Sequence, residues 1–408
     1  AKAYLAAEAR LAAVLKANER DIDALLEMAS LFKLRGQPAQ VQHWLQKAND
    51  FAPADELRPG FGLIELHLRE NRPAQALEAS KQLLTKGREQ VPVLLAHSRV
   101  LMANGDIPGA RTTLGNATRL AAFEAPAQVD IAALQLRIDN LPGAAYSLEK
   151  ALSSQPDHLP ALAMMTEVET RQGEFEKAEQ RARDIIKRAP KRAVGHTLLG
   201  GVALARKQTA AAVTAYREAH KAEPSTDTLL RLYRASFTPN EGKAAIALAD
   251  QWLAKHPRDV RVHKAVADGH AAMGNFAAAR TAYEGALKLA PDDTETLNNL
   301  ANALLRLKDP AALGIAEQAL AKDPDNPLVI DTVGWISFHN GQTDRALQLL
   351  RGARLRAPGN AEIRYHLATV LAKTGRRGEA KTEVAAALET GRSFEWTAEA
   401  KALLAALK

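Results

Sequence analysis

The sequence lacks the residues on which several classes of protein depend. It contains no cysteine, which excludes disulfide scaffolds, cysteine-bound zinc, iron–sulfur clusters and thiol nucleophiles. Only 5% of its 408 residues are aromatic while 47% are hydrophobic, so the apolar content is mostly alanine and leucine, which favour helices. No stretch approaches about eighteen uncharged apolar residues, and we therefore predict no transmembrane helix. A chain without cysteine suits a cytosol and a bacterial periplasm equally well.

Neither sign of charge dominates the chain, because 54 Lys and Arg residues face 47 Asp and Glu residues, for a net charge of +7. The excess is concentrated in residues 345–381, which hold nine basic and two acidic side chains. A nucleic-acid-binding face usually spreads its charge and interleaves stacking aromatics, so we predict no nucleic-acid binding. We predict one basic surface patch on an otherwise neutral protein, and its main members are Arg351, Arg354, Arg356, Arg376 and Arg377.

A period of about 34 residues runs through the chain. Its landmarks are prolines that recur at positions 156, 190, 224, 257, 291, 324 and 358. A small residue stands five positions before most of them, as at Ala151, Ala219 and Ala286, and another stands seven positions earlier. The pattern predicts a helix, a turn centred on glycine, and a second helix that a proline ends. One such helix pair cannot bury its apolar face alone, so neighbouring pairs must stack into a solenoid.

These landmarks resemble the tetratricopeptide repeat (TPR), and the resemblance covers essentially the whole chain. The clearest unit is Val260–Pro291, in which the Gly, Ala and Tyr positions of the repeat are in register. The resemblance implies an all-α fold, a right-handed superhelical solenoid of about eleven TPR helix-turn-helix repeats. We expect residues 1–18 to be the second helix of a truncated repeat, 19–392 to hold the repeats, and 393–408 to form a capping helix.

Two details of this organisation carry further expectations. The turn at 238–243 is one residue short, which predicts a bend between two solenoid halves. The chain begins at Ala1 rather than methionine and shows no signal peptide, so we interpret it as a fragment or processed form of a longer array.

The motifs of catalysis are missing from the sequence. It contains no P-loop, dinucleotide-binding glycine pattern, nucleophile elbow or zinc-protease motif. We interpret Gly200 as a packing residue within a first helix, and Asp292 with Asp293 as an N-terminal helix cap. His263 and His270 are seven residues apart on one helix face, but no third ligand at helical spacing accompanies them. We therefore predict a protein without catalytic, metal or cofactor sites.

The resemblance also implies where a ligand would lie, because the first helices of successive TPR repeats line a concave groove. The N-terminal part of this groove is small and apolar, with Leu95, Val129, Ala133 and Ala163. The C-terminal part carries aromatic and polar residues. Its candidate contacts are Lys264, Asn298, Asn302, Arg306, Asp331, Trp335, Phe338, His339 and Tyr365.

Two alternatives stay open for these contacts. Trp335, Phe338 and Tyr365 suit peptide anchors or stacking against sugar rings, but Trp335 and Phe338 equally suit packing against the neighbouring repeat. Asn298 and Asn302 with Lys264 are similar in part to the carboxylate clamp of chaperone-binding TPR proteins, although a solvated helix face is the commoner reason for such residues. Arg351 and Arg354 suit an acidic partner or an anionic glycan, and a solvated cap region is the alternative.

A narrower resemblance lies at the C-terminus. The series begins with Asp331-Thr-Val-Gly-Trp-Ile, continues with Ala361-Glu-Ile-Arg-Tyr-His-Leu-Ala and ends with Glu399-Ala-Lys-Ala-Leu-Leu. It resembles the TPR lipoproteins associated with PEP-CTERM protein sorting and bacterial exopolysaccharide systems. This implies a non-enzymatic scaffold in exopolysaccharide assembly or export, periplasmic and lipid-anchored at full length. Its groove would bind protein or peptide partners, with polysaccharide as a second ligand class.

Two other functions remain alternatives. One is a cytosolic peptide-binding adaptor of the co-chaperone kind, which requires affinity for a free C-terminal carboxylate. The other is the TPR arm of a larger enzyme or of an outer-membrane exporter, whose active domain would lie outside this sequence.

Overall fold

A computed structural model of the chain describes residues 2–238, 241–389, 391 and 393–407. These residues form 24 α-helices and no β-strand, which confirms the predicted all-α repeat fold. The helices are α1 Lys2–Ala17, α2 Ile22–Leu34, α3 Pro38–Phe51, α4 Arg58–Arg69, α5 Pro73–Gly87, α6 Val91–Ala103, α7 Ile107–Leu120, α8 Ala125–Arg137, α9 Leu141–Ser154, α10 Leu159–Gln172, α11 Phe175–Arg188, α12 Ala193–Ala205, α13 Thr209–Ala222, α14 Thr226–Ser236, α15 Gly242–Leu253, α16 Val260–Ala272, α17 Phe276–Leu289, α18 Thr294–Arg306, α19 Ala312–Lys322, α20 Pro327–His339, α21 Thr343–Arg356, α22 Ala361–Lys373, α23 Arg377–Glu389 and α24 Thr397–Ala406.

Helices α2 to α23 form eleven consecutive pairs, in which each first helix packs on the second helix that follows it. Helix α1 precedes the first pair and α24 follows the last. The alanines of the period explain the close approach within each pair, because residues such as Ala144, Ala212 and Ala279 are completely buried. Gly200 serves the same purpose, since a Cβ atom there would lie 2.5 Å from the ring of buried Tyr216.

The turn between the two helices of a pair requires a left-handed residue. Glycine meets this requirement in several repeats, as at Gly173 (φ 80°) and Gly274 (φ 73°). Lys207 (φ 60°) and Lys308 (φ 57°) take the equivalent turn position in two others, although a side chain disfavours this conformation. The shortened turn at 238–243 includes residues 239 and 240, which lie outside the described residues, so the predicted bend there stays a prediction.

Most of the described helix ends follow the predicted signals. Several second helices end two residues before a proline of the period, as α9 does before Pro156 and α17 before Pro291. Asp293 is an N-terminal cap, because its carboxylate accepts the backbone N–H of Thr296 at 2.8 Å. Asp292 is not a cap; it instead forms an ion pair with Lys322 of α19 at 2.5 Å.

The chain divides into two compact units, which we call unit 1 (Ala1–Ala222) and unit 2 (Glu223–Lys408). In unit 1 the first helices α4, α6, α8, α10 and α12 contact one another in sequence. In unit 2 the first helices α14, α16, α18, α20 and α22 do the same. Each unit thus has its own inner layer of first helices. None of the described helices is long and apolar enough to span a bilayer.

Candidate functional site

Three neighbouring first helices of unit 2 bring most of the predicted contacts together. Helix α18 carries Asn298, Asn302 and Arg306 at four-residue intervals, which places them along one side of the helix. Helix α20 adds Trp335 and α22 adds Tyr365, with ring centroids 6.3 Å apart. We call the surface formed by these three helices the aromatic face.

Trp335 lies at the centre of the aromatic face and is almost fully covered. Its indole is 6% exposed and stacks on the ring of His366 from the next repeat, with centroids 4.1 Å apart and planes 12° apart. The edge of His339 meets it at 4.6 Å, and the ring of Phe338 lies 5.7 Å away. The structure therefore contains the packing against the neighbouring repeat that the sequence left open. The anchor role of Trp335, Phe338 and Tyr365 stays a prediction.

A buried acid–imidazole pair supports this stack. Nδ1–H of His366 donates to Oδ2 of Asp331 at 2.9 Å, and both residues are more than nine-tenths buried. Asp331 was expected to contact a ligand in the groove, but the structure turns it toward the next repeat, where it holds the imidazole parallel to Trp335. The other ring nitrogen, Nε2, has no hydrogen-bond partner among the described residues.

The four residues 393–396, between α23 and α24, cover the aromatic face; we call them the cover segment. Trp396 stacks on Tyr365 with planes 15° apart and centroids 5.8 Å apart, and its edge meets Trp335 at 6.0 Å. Its indole N–H donates to Oε1 of Glu362 at 3.3 Å, and Phe394 lies 6.3 Å from Tyr365. The C-terminal part of the inner layer is thus occupied by the chain itself.

Arg306 ties the cover segment to α18. Its guanidinium forms an ion pair with Glu395, which is 89 residues away in the chain. The same group lies over the rings of Phe276 at 4.7 Å and Trp396 at 5.7 Å, within the range of cation–π attraction. The first helices α18, α20 and α22 therefore all contact the cover segment.

Glu362 of α22 lies beneath this cover. Burial raises the pKa of its carboxyl, and the nearby Asp331 and Glu395 act in the same direction. Its other neighbours, the imidazole of His366 and the indole N–H of Trp396, oppose the shift without cancelling it. An acid in this position binds a proton more readily than one in water.

Two of the three polar residues that are similar in part to a carboxylate clamp make contacts within the fold. Lys264 pairs with Asp293 at 3.1 Å and Glu295 at 2.5 Å, both from the next repeat. Burial acts to lower the pKa of Lys264, but the hydrogen bonds to these carboxylates raise it overall. Asn302 donates weakly to Thr332 at 3.4 Å, while Oδ1 of Asn298 is buried without a partner among the described residues.

The predicted basic patch requires a correction, because most of its arginines meet carboxylates of adjacent repeats. Arg351 pairs with Glu379 at 2.6 Å. Arg354 pairs with Glu383 at 2.8 Å, and Arg356 with Asp325 at 3.2 Å. Glu383 and Asp325 lie outside 345–381, so counting charges along that window overstated the local excess. Arg377 donates to the carbonyl oxygen of Ala406 at 2.8 Å, and Arg376 is exposed.

The described part of the chain has no group of three or more acids and histidines placed to bind a metal ion. The two histidines weighed as ligands make other contacts. His263 Nε2 lies 2.9 Å from the carbonyl oxygen of Pro257, and His270 is turned into the helix packing with Nδ1 buried.

The inner layer of unit 1 differs in chemistry. The residues expected to line it, Leu95, Val129, Ala133 and Ala163, are half-buried or buried and apolar. A buried polar network of this unit lies deeper, between α7, α8 and α9. The hydroxyls of Thr118 and Ser147 lie 3.0 Å apart, and Ser147 donates to Gln135 at 3.0 Å. All three of these side chains therefore have hydrogen-bond partners within unit 1.

Several residues of the aromatic face and of the cover segment are not among the contacts that the sequence predicts. His366 does not fall on an inward position expected of the repeat, Glu362 is on such a position but is not among the candidate contacts, and Phe394 and Trp396 fall in the predicted capping helix. One signal was available: Trp396 is one of only four tryptophans in a chain poor in aromatics, and it stands just before a helix rather than inside its core.

The comparison with known families agrees with this geometry. One family model described as "Tetratricopeptide repeat" matches residues 139–200 and 337–407, and a second with the same description matches residues 264–327. Residues 139–200, 264–327 and 337–407 of the chain thus match tetratricopeptide repeats. The second stretch of the first match includes part of the aromatic face and the cover segment.

Individual proteins show more distant similarity. The DnaJ homolog subfamily C member 7 homolog of Schizosaccharomyces pombe is 28% identical over 169 residues, which are 40% of this chain and 29% of that protein. The chain thus matches less than a third of this curated relative's length.

Two solved structures are similar to this chain. One is the APC/C hetero-tetramer Cut9–Hcn1, with a TM-score of 0.47, 14% identity and coverage of 95% of this chain and 96% of that chain. The other is a tetratricopeptide repeat protein from Parabacteroides merdae, with a TM-score of 0.45, 12% identity and coverage of 69% and 98%.

Proposed function

We propose that this protein is a non-enzymatic TPR scaffold that binds protein partners through the aromatic face of unit 2. One observation carries the proposal: three first helices already hold a short, non-helical piece of polypeptide, Phe394–Trp396, by ring stacking and an ion pair. A surface that holds one peptide segment through side-chain contacts has the chemistry to hold another. Aromatic and arginine side chains are also the types enriched among energetic hot spots of interfaces.

The binding proposal is tested by site-specific photo-cross-linking in cells that express the full-length protein. A photoreactive residue replaces His339 or Lys373, which are exposed at the ends of α20 and α22. The control carries the same residue at Tyr146, which is 57% exposed in unit 1. We expect a discrete partner from the two unit 2 positions only, and loss of that product in an Arg306→Glu background. Equal products from Tyr146 would contradict the proposal.

We further propose that the scaffold serves exopolysaccharide assembly or export at the periplasmic side of the envelope, anchored to a membrane at full length. Its support is the C-terminal sequence resemblance, together with an aromatic face that suits sugar rings as well as peptides. Fractionation of cells expressing the full-length protein tests this. Recovery in a membrane-bound periplasmic fraction is the expected result, and recovery in the cytosol would remove this part of the proposal.

A second candidate is a cytosolic peptide-binding adaptor of the co-chaperone kind. It is favoured by the similarity to a DnaJ homolog and by Lys264, Asn298 and Asn302 on neighbouring first helices. A carboxylate ligand would have to displace Asp293 and Glu295 from Lys264, so we rank this candidate second. It requires that a peptide with a free C-terminal carboxylate binds and that the amidated peptide does not.

A further inference from the structure

We infer that the cover segment is an exchangeable occupant of the aromatic face, and that partner segments with an aromatic–acidic–aromatic sequence compete with it for the same contacts. This inference rests on the proposed function and specifies its ligand. The cover segment reads Ser393-Phe-Glu-Trp, so the aromatic–acidic–aromatic pattern is present in the chain itself.

The first step is that the cover segment is held by contacts of its side chains, which the connection between α23 and α24 does not require. Phe394 and Trp396 reach Tyr365, and Trp396 also reaches Trp335 in the repeat before it. Glu395 reaches Arg306, one repeat further back. A simple connection between α23 and α24 does not need to touch a helix 89 residues away. The arrangement is that of a short peptide lying across three first helices.

The second step is that the cover segment is held weakly in comparison with the surface beneath it. Phe394 and Trp396 are only half-buried and Glu395 is exposed, whereas Trp335 and Tyr365 are 6% and 7% exposed. The ion pair between Arg306 and Glu395 is also half-exposed, which limits what it contributes. Removal of the cover segment would expose the rings of Trp335 and Tyr365 to solvent. Binding of another aromatic peptide segment in its place is therefore more favourable than an uncovered face.

The third step is that the terminal helix has its own attachment. Ala400 of α24 is completely buried, and Leu403, Leu404 and Leu407 pack in the same apolar cluster as α22 and α23. Arg377 adds a hydrogen bond to the carbonyl oxygen of Ala406. Because α24 is held by these contacts, the cover segment can leave the aromatic face without detaching α24.

The consequence is competition within one molecule. A tethered segment acts at an effective concentration of about 1 mM, so a free peptide with a Kd of about 0.1 mM would bind about tenfold more weakly than to an uncovered face. A partner with this sequence pattern must displace the cover segment in order to bind. The cover segment therefore excludes partners whose affinity for the aromatic face is too low to displace it.

The experiment measures binding of a labelled, acetylated and amidated peptide, Ser-Phe-Glu-Trp-Thr, to the full chain by fluorescence anisotropy. The variants are wild type, the double substitution Phe394→Ala with Trp396→Ala, and the control Tyr146→Ala, which removes an exposed ring from unit 1. We expect the double variant to bind the peptide about tenfold more tightly than the wild type, and the control to match the wild type. A peptide with Lys in place of Glu should not show this gain, because Arg306 repels it.

A milder variant protects the test against misfolding. Glu395→Arg retains both rings but places a like charge beside Arg306, so it should give a smaller gain with unchanged helical circular dichroism. If neither variant binds the peptide more tightly than wild type while both remain helical, the cover segment is purely structural and the inference is wrong. If cross-linking from His339 persists in that case, the proposed function stands without it. If both experiments fail, the proposed function falls as well.

Discussion

The two units are built from the same repeat but differ in side-chain chemistry: the inner layer of unit 1 is small and apolar, with a polar network behind it, whereas that of unit 2 carries aromatic and polar residues. In unit 1, Thr118, Ser147 and Gln135 satisfy one another by hydrogen bonds between α7, α8 and α9. In unit 2, Trp335 stacks on His366, and Phe394 and Trp396 from beyond the last repeat cover the aromatic rings. Buried polar groups that hydrogen-bond to one another need no further partner. Partly covered aromatic rings, in contrast, can still pack against another ring. The repeat determines the helix pair, and the residues around its landmarks determine the surface.

The largest effect is expected from replacing Trp335, the central ring of the aromatic face. Trp335→Ala leaves a cavity beneath Trp396, and we expect a loss of about 3–5 kcal/mol of local stability in unit 2. Val129→Ala, a substitution on the inner layer of unit 1, should cost about 1 kcal/mol or less because only small apolar atoms are removed. Hydrogen exchange by mass spectrometry should show faster exchange confined to α20–α24 in the first variant. Equal effects of the two substitutions would contradict the central role of Trp335.

An intermediate effect is expected from opening the polar network of unit 1. Gln135→Leu removes the acceptor of the Ser147 hydroxyl and leaves buried polar atoms unsatisfied, at a cost of about 1–3 kcal/mol. The triple variant Thr118→Val, Ser147→Ala and Gln135→Leu should recover most of that loss, since none of the three substituted positions then carries an unpaired polar group. Urea unfolding followed by circular dichroism compares the two. If the triple variant is no more stable than the single variant, the three polar side chains contribute more to stability than the mutual pairing of their hydrogen-bonding groups.

A smaller effect should follow from loosening the cover segment. Arg306→Ala removes the ion pair with Glu395 and the cation–π contact with Trp396, which together contribute about 0.5–1 kcal/mol at this exposure. The expected readout is faster amide exchange at Thr397, whose N–H is bonded to the Phe394 carbonyl. Arg171→Ala is the matched control, because Arg171 forms a similarly exposed ion pair with Asp139 in unit 1. It should leave exchange at Thr397 unchanged.

The smallest effect concerns Glu362, the half-buried acid under the cover segment. The pKa of Glu362 is raised above its ordinary 4.5, so the folded state binds its proton at a higher pH than the unfolded state does. Folding is therefore penalised above the raised pKa, and the penalty disappears as the pH falls through the raised pKa toward 4.5. Glu362→Gln should raise the melting temperature slightly at pH 7.5 and lose this advantage near pH 4.5. A lower melting temperature at pH 7.5 would show that the charge itself is required.

The fold was readable from the sequence because its determinants are local. Alanines such as Ala144 and Ala279 mark where helices touch, and Gly173 and Gly274 mark turns that need a left-handed residue. The aromatic face was readable only in part. Trp335 and Tyr365 were identified as inward residues, but their partner His366 does not fall on an expected inward position. The charges of 345–381 were misjudged because their carboxylate partners come from other repeats.

By itself, the sequence determined the helix pairs, their period and the absence of cysteine chemistry, since spacing and residue type suffice for each. Only the tertiary structure decided which side chains meet across repeats. The pairing of Asp331 with His366 joins residues 35 apart, and that of Arg306 with Glu395 joins residues 89 apart. No local pattern encodes such distances, because they depend on how successive repeats stack. The same stacking placed Trp396 over Trp335 and converted an open groove into one that the chain itself occupies.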